Sequence, residues 1–278
     1  MIVTRFAPSP TGYLHLGHVR SAWAGWYAAR EAGGRFRLRI EDIDLTRCRR
    51  DYETAIVQDL TWLGLAWDGE VRRQSEHFDD YRGALARLDG EGMLYPCFCT
   101  RREIQAEIAR ASGAPQGEAG PLYPGTCKRL SASERQDKIA TGADYALRLD
   151  VAKAIARTGP LEWLEDGNLV AAAPGTLGDV VLARKDVPVS YHLAVTVDDA
   201  VQGVTLVTRG ADLFTATHVH RVLQALLGVP TPVYRHHPLL TDASGRRLAK
   251  RDRAVAMRDM REAGLQPHDI IQQARFSV

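Results

Sequence analysis

The chain opens with MIVTRFA, a short apolar run rich in strand formers that Pro8, Pro10 and Gly12 stop abruptly. Beyond it Leu16, Val19, Trp23, Trp26 and Tyr27 recur at intervals of three and four, the period of a helix, and Gly33-Gly34 closes the run. RFRLRIEDID then alternates Arg35, Arg37 and Arg39 with Phe36, Leu38 and Ile40 and ends in Glu41, Asp42 and Asp44. That pattern predicts a second strand whose carboxyl end is acidic. Strand, helix and strand within residues 1–44 make a βαβ unit, so the sheet starts parallel. Residues 51–92 carry helical patterns with a turn at WLGLAWDGE, where Trp62, Leu63, Leu65 and Trp67 are core candidates. From Leu94 to about Pro174 the character changes: GAPQGEAGPLYPG is loop by composition, ASERQDKIA a short helix and DYALRLDVA a strand. The α/β alternation resumes with TLGDVVLAR, then SYHLAVTVDDAVQG as a helix, VTLVTRG as a strand ending in Arg209, and ADLFTATHVHRVLQALLG as a helix. The expected fold is α/β: a Rossmann-type parallel sheet in two halves, 1–93 and 175–240. A small insertion at 94–174 splits it, and a short C-terminal tail, 241–278, follows.

His15 and His18 fall where the first helix begins. The first turn of a helix leaves backbone N–H groups unpaired and carries a positive partial charge, so anions settle there. Histidines three apart share one face of that turn and can both reach a phosphate. A plain helix cap is a second reading and a metal pair a third. The metal reading is weaker, because the spacing is not HExxH and the nearest downstream carboxylate is Glu31, well along the helix. Near the other end, HHPLLTDASGRRLAKRD holds Gly245, Arg246, Arg247, Lys250 and Arg251. Such a loop suits a lid over a triphosphate, with a solvated basic turn as the alternative.

Composition sets outer bounds. With 278 residues, 45% of them apolar and 25% charged, the chain has material for a real core. A net charge of +2 neither argues for nucleic acid nor excludes a local basic patch. No apolar run approaches the ~18 residues of a membrane span and no signal pattern opens the chain, so a cytoplasmic, membrane-free protein is the expectation. Of the cysteines Cys48, Cys97, Cys99 and Cys127, the CxC pair is too close for an easy mutual disulfide. Cys97, Cys99 and Cys127 can offer three thiolates to one zinc. The fourth ligand is then Tyr123, a carboxylate such as Glu118, Cys48 or water; reduced cysteines packed as small hydrophobes are the alternative.

PSPTGYLHLGH resembles the HIGH motif of class I aminoacyl-tRNA synthetases, and RLAKR stands in the place of their KMSKS loop. RFAPSPTG, IEDID and YHLAVTVDD…VTRGADL are similar to glutamyl-tRNA synthetases in particular. The resemblance runs from Arg5 to about Arg251. Only residues 251–278 follow Lys250, so no anticodon-binding domain is expected. A short core with CxC…YxxxC in its insertion resembles the branch whose members attach glutamate to the queuosine base of tRNA(Asp).

The resemblance implies roles. Catalysis falls to His15, His18 and Lys250, and ATP binding to these with Gly17 and Mg²⁺. Phe6, Ala7, Pro8, Ser9 and Tyr191 belong to the glutamate-contacting set. Chemistry agrees for the charged members: two carboxylates and one ammonium call for Arg5 and Arg209 as carboxylate forks and Glu41 as the ammonium partner. A structural Zn²⁺ is implied on Cys97, Cys99, Tyr123 and Cys127. The expected reaction is attack of the glutamate α-carboxylate on the α-phosphorus of ATP without tRNA, then transfer to queuosine of tRNA(Asp) by a monomer. Two departures stand out: Arg247 and Ala249 replace the first lysine and the serine of the KMSKS pattern, and Val195 stands where glutamyl synthetases have asparagine. Rival readings are a minimal glutamyl-tRNA synthetase charging a 3′ end, another HxGH nucleotidyltransferase such as a pantothenate synthetase, and a non-catalytic RNA-binding paralogue.

Overall fold

A computed structural model describes residues 1–110, 116–117, 120–240 and 255–276; Lys250 and the rest of the basic loop lie outside the described residues, as does Glu118. β1 (Val3–Phe6), α1 (Leu16–Glu31) and β2 (Arg35–Ile40) form the predicted βαβ unit, with β1 and β2 parallel. α2 (Arg50–Trp62) returns the chain to β3 (Arg72–Arg73) beside β2, and α3 (Phe78–Gly90) leads to β4 (Leu94–Cys97). There follow α4 (Arg101–Arg110), the paired short strands β5 (Gln116–Gly117) and β6 (Gly120–Pro121), α5 (Ala132–Ala140) and β7 (Ala146–Leu149). α6 (Val151–Thr158) precedes the hairpin of β8 (Glu162–Glu165) and β9 (Asn168–Ala171). β10 (Val181–Ala183), α7 (Tyr191–Val201), β11 (Leu206–Gly210), α8 (Ala216–Leu227) and β12 (Val233–His237) follow, and α9 (Met257–Glu262) and α10 (Pro267–Phe276) complete the chain.

β11, β12 and β8 are parallel, and a backbone hydrogen bond from Thr205 N to Val3 O, 2.9 Å long, joins the approach to β11 with β1. β1 and β11 are therefore neighbours, with β2 and β3 beyond one and β12, β8 and β9 beyond the other. The winding reverses between them. At such a switch point the connections leave in opposite directions and open a crevice at the carboxyl ends of the strands.

Three details depart from the sequence pattern. On α1 the buried face is Val19, Ala22, Gly25, Ala28 and Ala29, whereas Tyr27 is exposed. Small residues are needed there because the helix lies close to the strands: a Cβ on Gly25 would sit 3.0 Å from Thr208 Oγ1 and 3.5 Å from the Arg5 carbonyl oxygen. The expected boundary at Pro174 is not where the sheets divide. β4 and β7 pair antiparallel and take their third strand, β10, from residues 181–183, while β8 joins β12 in the parallel sheet. The expected C-terminal tail is likewise no tail over 257–276: Met257, Met260, Ile270 and Ala274 are buried among Phe6, Leu14, Val19 and Ile56. Apolar burial ties these helices to the first half-sheet. Among the described residues no helix is long and apolar enough to cross a membrane.

Candidate active site

One cavity of about 710 Å³ opens at the switch point, within the ~300–1,000 Å³ usual for small-molecule sites. It gathers all eleven of the expected site residues that the structure describes outside the cysteine cluster: Arg5, Phe6, Ala7, Pro8, Ser9, His15, Gly17, His18, Glu41, Tyr191 and Arg209. β1 and the loop after it supply five of them, the start of α1 three, and β2's end, α7 and β11 one each.

The histidines do cap the helix, and that is what arms them. His15 Nδ1 accepts from Gly17 N at 3.1 Å, and His18 Nδ1 accepts from His15 N at 3.2 Å, a reciprocal capping box. Each neutral ring must then carry its proton on Nε2. The rings lie 3.8 Å apart, centroid to centroid, against the same cavity. Capping thus fixes the tautomer in which both imidazoles are hydrogen-bond donors at a helix N-terminus. Met257 N bonds to Leu14 O at 2.8 Å and Ala256 bridges His15, so the chain leaving the basic loop is anchored on this motif.

Arg5 and Arg209 differ. The Arg5 Nε and Nη2 face Asp199 on α7 at 3.0 and 3.4 Å, and Nη1 donates to Thr208 O at 3.3 Å. A protein carboxylate therefore already holds one edge of the expected fork, and only the outer N–H of each terminal nitrogen is untaken by described residues. Arg209 has no carboxylate within ion-pair distance among the described residues. Its Nη1 donates to Tyr191 Oη at 3.2 Å, and its other bonds go to imidazoles and the Thr217 hydroxyl. It is a buried cation with neutral partners.

Glu41 is buried as well, and burial first of all raises its carboxyl above the ordinary value despite the attraction of Arg39 and Arg5. Its Oε1 accepts from Arg39 Nη2 at 3.2 Å, and no described residue donates to Oε2. Arg39 is fully buried, although the alternation of β2 puts it on a polar face. The sheet is covered on both sides there. Arg39 Nη1 donates to Asp199 Oδ1 at 2.8 Å, and its Nε lies 3.7 Å from Asp198 Oδ2. Asp198 in turn accepts from Arg72 Nε and Gln74 Nε2, both at 2.7 Å, and from Tyr81 Oη at 2.9 Å. Sequence reasoning missed this network. Two adjacent acids, Asp198 and Asp199, within the otherwise largely apolar run LAVTVDDAV were the available signal.

In the insertion the sulfurs of Cys97, Cys99 and Cys127 all lie within 4.8 Å of one another. Tyr123 Oη is 3.3 Å from Cys97 Sγ and 3.6 Å from Cys99 Sγ, so of the four candidate fourth ligands the tyrosine is beside the thiols, while Cys48 lines a separate pocket by Asp44 and Arg47. Burial lifts the Cys99 thiol to about 12. Burial pushes Cys127 up too, but hydrogen bonds led by the Phe98 N–H at 3.3 Å outweigh it and leave that thiol below its ordinary value. Three thiols around one point suit the thiolate preference of zinc, with the Tyr123 hydroxyl beside them.

Residues 1–276 match the family described as tRNA synthetases class I (E and Q), catalytic domain. A glutamyl-Q tRNA(Asp) synthetase of Rhodobacter capsulatus is 49% identical over 97% of this chain and 98% of its own length. One of Symbiobacterium thermophilum is 44% identical over 98% of this chain and 84% of its own. The crystal structure of the glutamate-tRNA synthetase of Elizabethkingia anophelis superposes with a TM-score of 0.83 at 25% identity, covering 99% of this chain and 61% of that one. The chain thus spans about three fifths of that solved synthetase. A family match over almost the whole length, on a parallel sheet with its cavity at the switch point, makes this chain a ligase belonging to the class I tRNA synthetases of the E and Q type.

Proposed function

We propose that this chain activates L-glutamate with ATP in the absence of tRNA and then transfers the glutamyl group to the queuosine base of tRNA(Asp). The observation that carries the first step is Arg209: a buried guanidinium without a carboxylate partner among the described residues, in one cavity with the buried carboxylate of Glu41. An amino acid with a second carboxylate supplies what each lacks. Arg209 receives one carboxylate with Tyr191 Oη beside it, the outer N–H groups of Arg5 help the other, and Glu41 takes the ammonium. Phe6, Ala7, Pro8 and Ser9 form the floor of this subsite.

ATP lies over Gly17 and the start of α1, where backbone N–H groups and the Nε2–H of His15 and His18 meet its phosphates. Gly17 leaves room for the His15 ring to fold over the helix start, since a Cβ there would come to 3.0 Å from that ring. Lys250 and Mg²⁺ are assigned to the pyrophosphate by the family resemblance. The α-carboxylate oxygen bonds to the α-phosphorus, pyrophosphate leaves with the electron pair of the broken P–O bond, and the hydroxyl of the acceptor then attacks the adenylate carbonyl, releasing AMP. No protein nucleophile is required. Cys97, Cys99, Cys127 and Tyr123 would hold a structural Zn²⁺ that ties β4 to the following loop.

The acceptor assignment rests on the printed names of the similar relatives. The test is glutamate-dependent pyrophosphate exchange without tRNA, followed by transfer of labelled glutamate to tRNA with and without queuosine. Labelling that needs queuosine and survives removal of the 3′-terminal adenosine supports the reading. Labelling confined to the 3′ end makes the chain a minimal glutamyl-tRNA synthetase, and absent exchange refutes activation.

A further inference from the structure

Among the described residues three arginines are buried, Arg5, Arg39 and Arg209, and only Arg209 lacks a direct carboxylate partner. Its Nε donates to His236 Nε2 at 3.0 Å, Nη1 also reaches His220 Nδ1 at 3.3 Å, and Nη2 donates to Thr217 Oγ1 at 2.6 Å. Arginine has donors only, so each ring nitrogen it meets must be unprotonated. His236 then carries its proton on Nδ1, which lies 2.9 Å from Glu165 Oε2. Glu165 is held in turn: its Oε1 accepts the His236 backbone N–H at 2.8 Å, and Oε2 accepts Trp163 Nε1 at 3.2 Å. The same logic sets His220, whose Nε2–H points to His192 Nδ1 at 3.2 Å.

The geometry points to Glu165 and His236 as positioning residues, a carboxylate–imidazole pair on β8 and β12 that orients the Arg209 guanidinium from behind and supplies its counter-charge one residue away. A carboxylate placed directly on Arg209 would occupy the fork and neutralise it, as Asp199 does for one edge of Arg5. Relaying the charge through an imidazole leaves Nη1 and Nη2 to neutral partners, the hydroxyls of Tyr191 and Thr217 and the His220 ring. Tyr191, which lines the cavity, can accept from Arg209 and yet turn its own O–H toward an incoming carboxylate, while the fully buried Thr217 holds Nη2 from behind. Burial, with Arg209 adding to it, lowers the His236 ring to about 4, so the neutral acceptor form persists at physiological pH.

This inference rests on the reading of Arg209 as the receptor for a glutamate carboxylate. Its test is pyrophosphate exchange by the full chain, with KM measured separately for glutamate and for ATP, in Glu165→Gln, His236→Phe and His236→Gln. Glu165→Gln keeps shape and removes the anion. His236→Phe keeps the ring and removes both nitrogens, and His236→Gln keeps an acceptor near the Nε2 position. The first two should raise KM for glutamate about tenfold or more, the range for a lost charge-assisted hydrogen bond. KM for ATP should stay within about twofold, and His236→Gln should restore much of the loss. Should His236→Phe fail to fold, Glu165→Gln and His236→Gln decide by themselves. Unchanged glutamate KM in Glu165→Gln, or equal rises for glutamate and ATP, overturns the positioning role while the proposed activity stands. A wild-type chain without glutamate-dependent exchange removes that activity instead.

Discussion

Replacing Asp199 by Asn probes the network that walls the cavity. Arg5, Arg39 and Arg72 face Glu41, Asp198 and Asp199, three cations against three carboxylates. Asp199 Oδ1 takes Arg39 Nη1 at 2.8 Å and Arg5 Nε at 3.0 Å, while Oδ2 takes Arg5 Nη2 at 3.4 Å. Asn keeps the volume, removes one charge, and turns one acceptor into an N–H₂ that must face an arginine donor. With side chains only 8% and 5% exposed for Asp199 and Arg5, solvent cannot screen the excess positive charge. Breaking one member of such a buried set costs roughly 3–5 kcal/mol, a large share of a total stability of ~5–15 kcal/mol. The contrasting exposed pair, Asp44 with an Arg47 that is 72% exposed, should yield ~0–1 kcal/mol on Asp44→Asn. The assay is the urea midpoint at neutral pH with glutamate KM measured alongside, since Arg39, released from Asp199 and left with Glu41 and Asp198, should bind Glu41 more tightly and weaken ammonium binding. Burial raises the Asp199 carboxyl, but Arg5 and Arg39 outweigh it and leave its pKa below the ordinary value. A depressed carboxylate stabilises the fold above its unfolded pKa of about 4 and loses that contribution as pH falls through the folded value. The gap between wild type and variant should therefore shrink in strong acid. A neutral-pH loss below about 1 kcal/mol would refute the argument.

Other outcomes follow from the same geometry. His18→Ala should lower exchange by about 10²-fold or more, and by removing an acceptor from the cap should cost about 0.5–2 kcal/mol, read by exchange and by melting. Cys97→Ser should release the metal measured by elemental analysis from about one zinc per chain to well below it; protein purified without chelators and free of zinc would contradict the ligand assignment. Burial, reinforced by Arg209, holds His192 at about 4 and His220 well below its ordinary value, so both stay neutral in the fold. Stability should thus be full above pH ~6.5 and decline as pH falls toward 4, by up to ~1.4 kcal/mol per unit for each ring; a flat urea midpoint over that window contradicts it. Met257→Ala should destabilise by about 2–5 kcal/mol, which denaturant unfolding would register, because its side chain lies in the first-half core.

Apolar runs, their period and the proline and glycine breaks between them placed β1, α1, β2, α7, β11 and α8, and the chemistry of HLGH and of Arg5, Glu41 and Arg209 marked residues that the fold then lined along one cavity. Local pattern carries that much because helix starts and strand ends have fixed positions relative to the sheet. What it could not carry depends on contacts distant in the chain. Arg39 sits on the polar face of its strand yet is fully buried, because Asp198 and Asp199, some 160 residues later, meet it there at distances as short as 2.8 Å. His236 gains a defined tautomer only when β8 brings Glu165 to it and β11 brings Arg209. The helices over 257–276 are too short to hold themselves and exist by packing on the first half-sheet. The sequence by itself determined which chemical groups this protein carries and the order of its halves; the tertiary structure decided which charges neutralise one another and which remain for a ligand, because in a buried site that balance is set by through-space distance and desolvation.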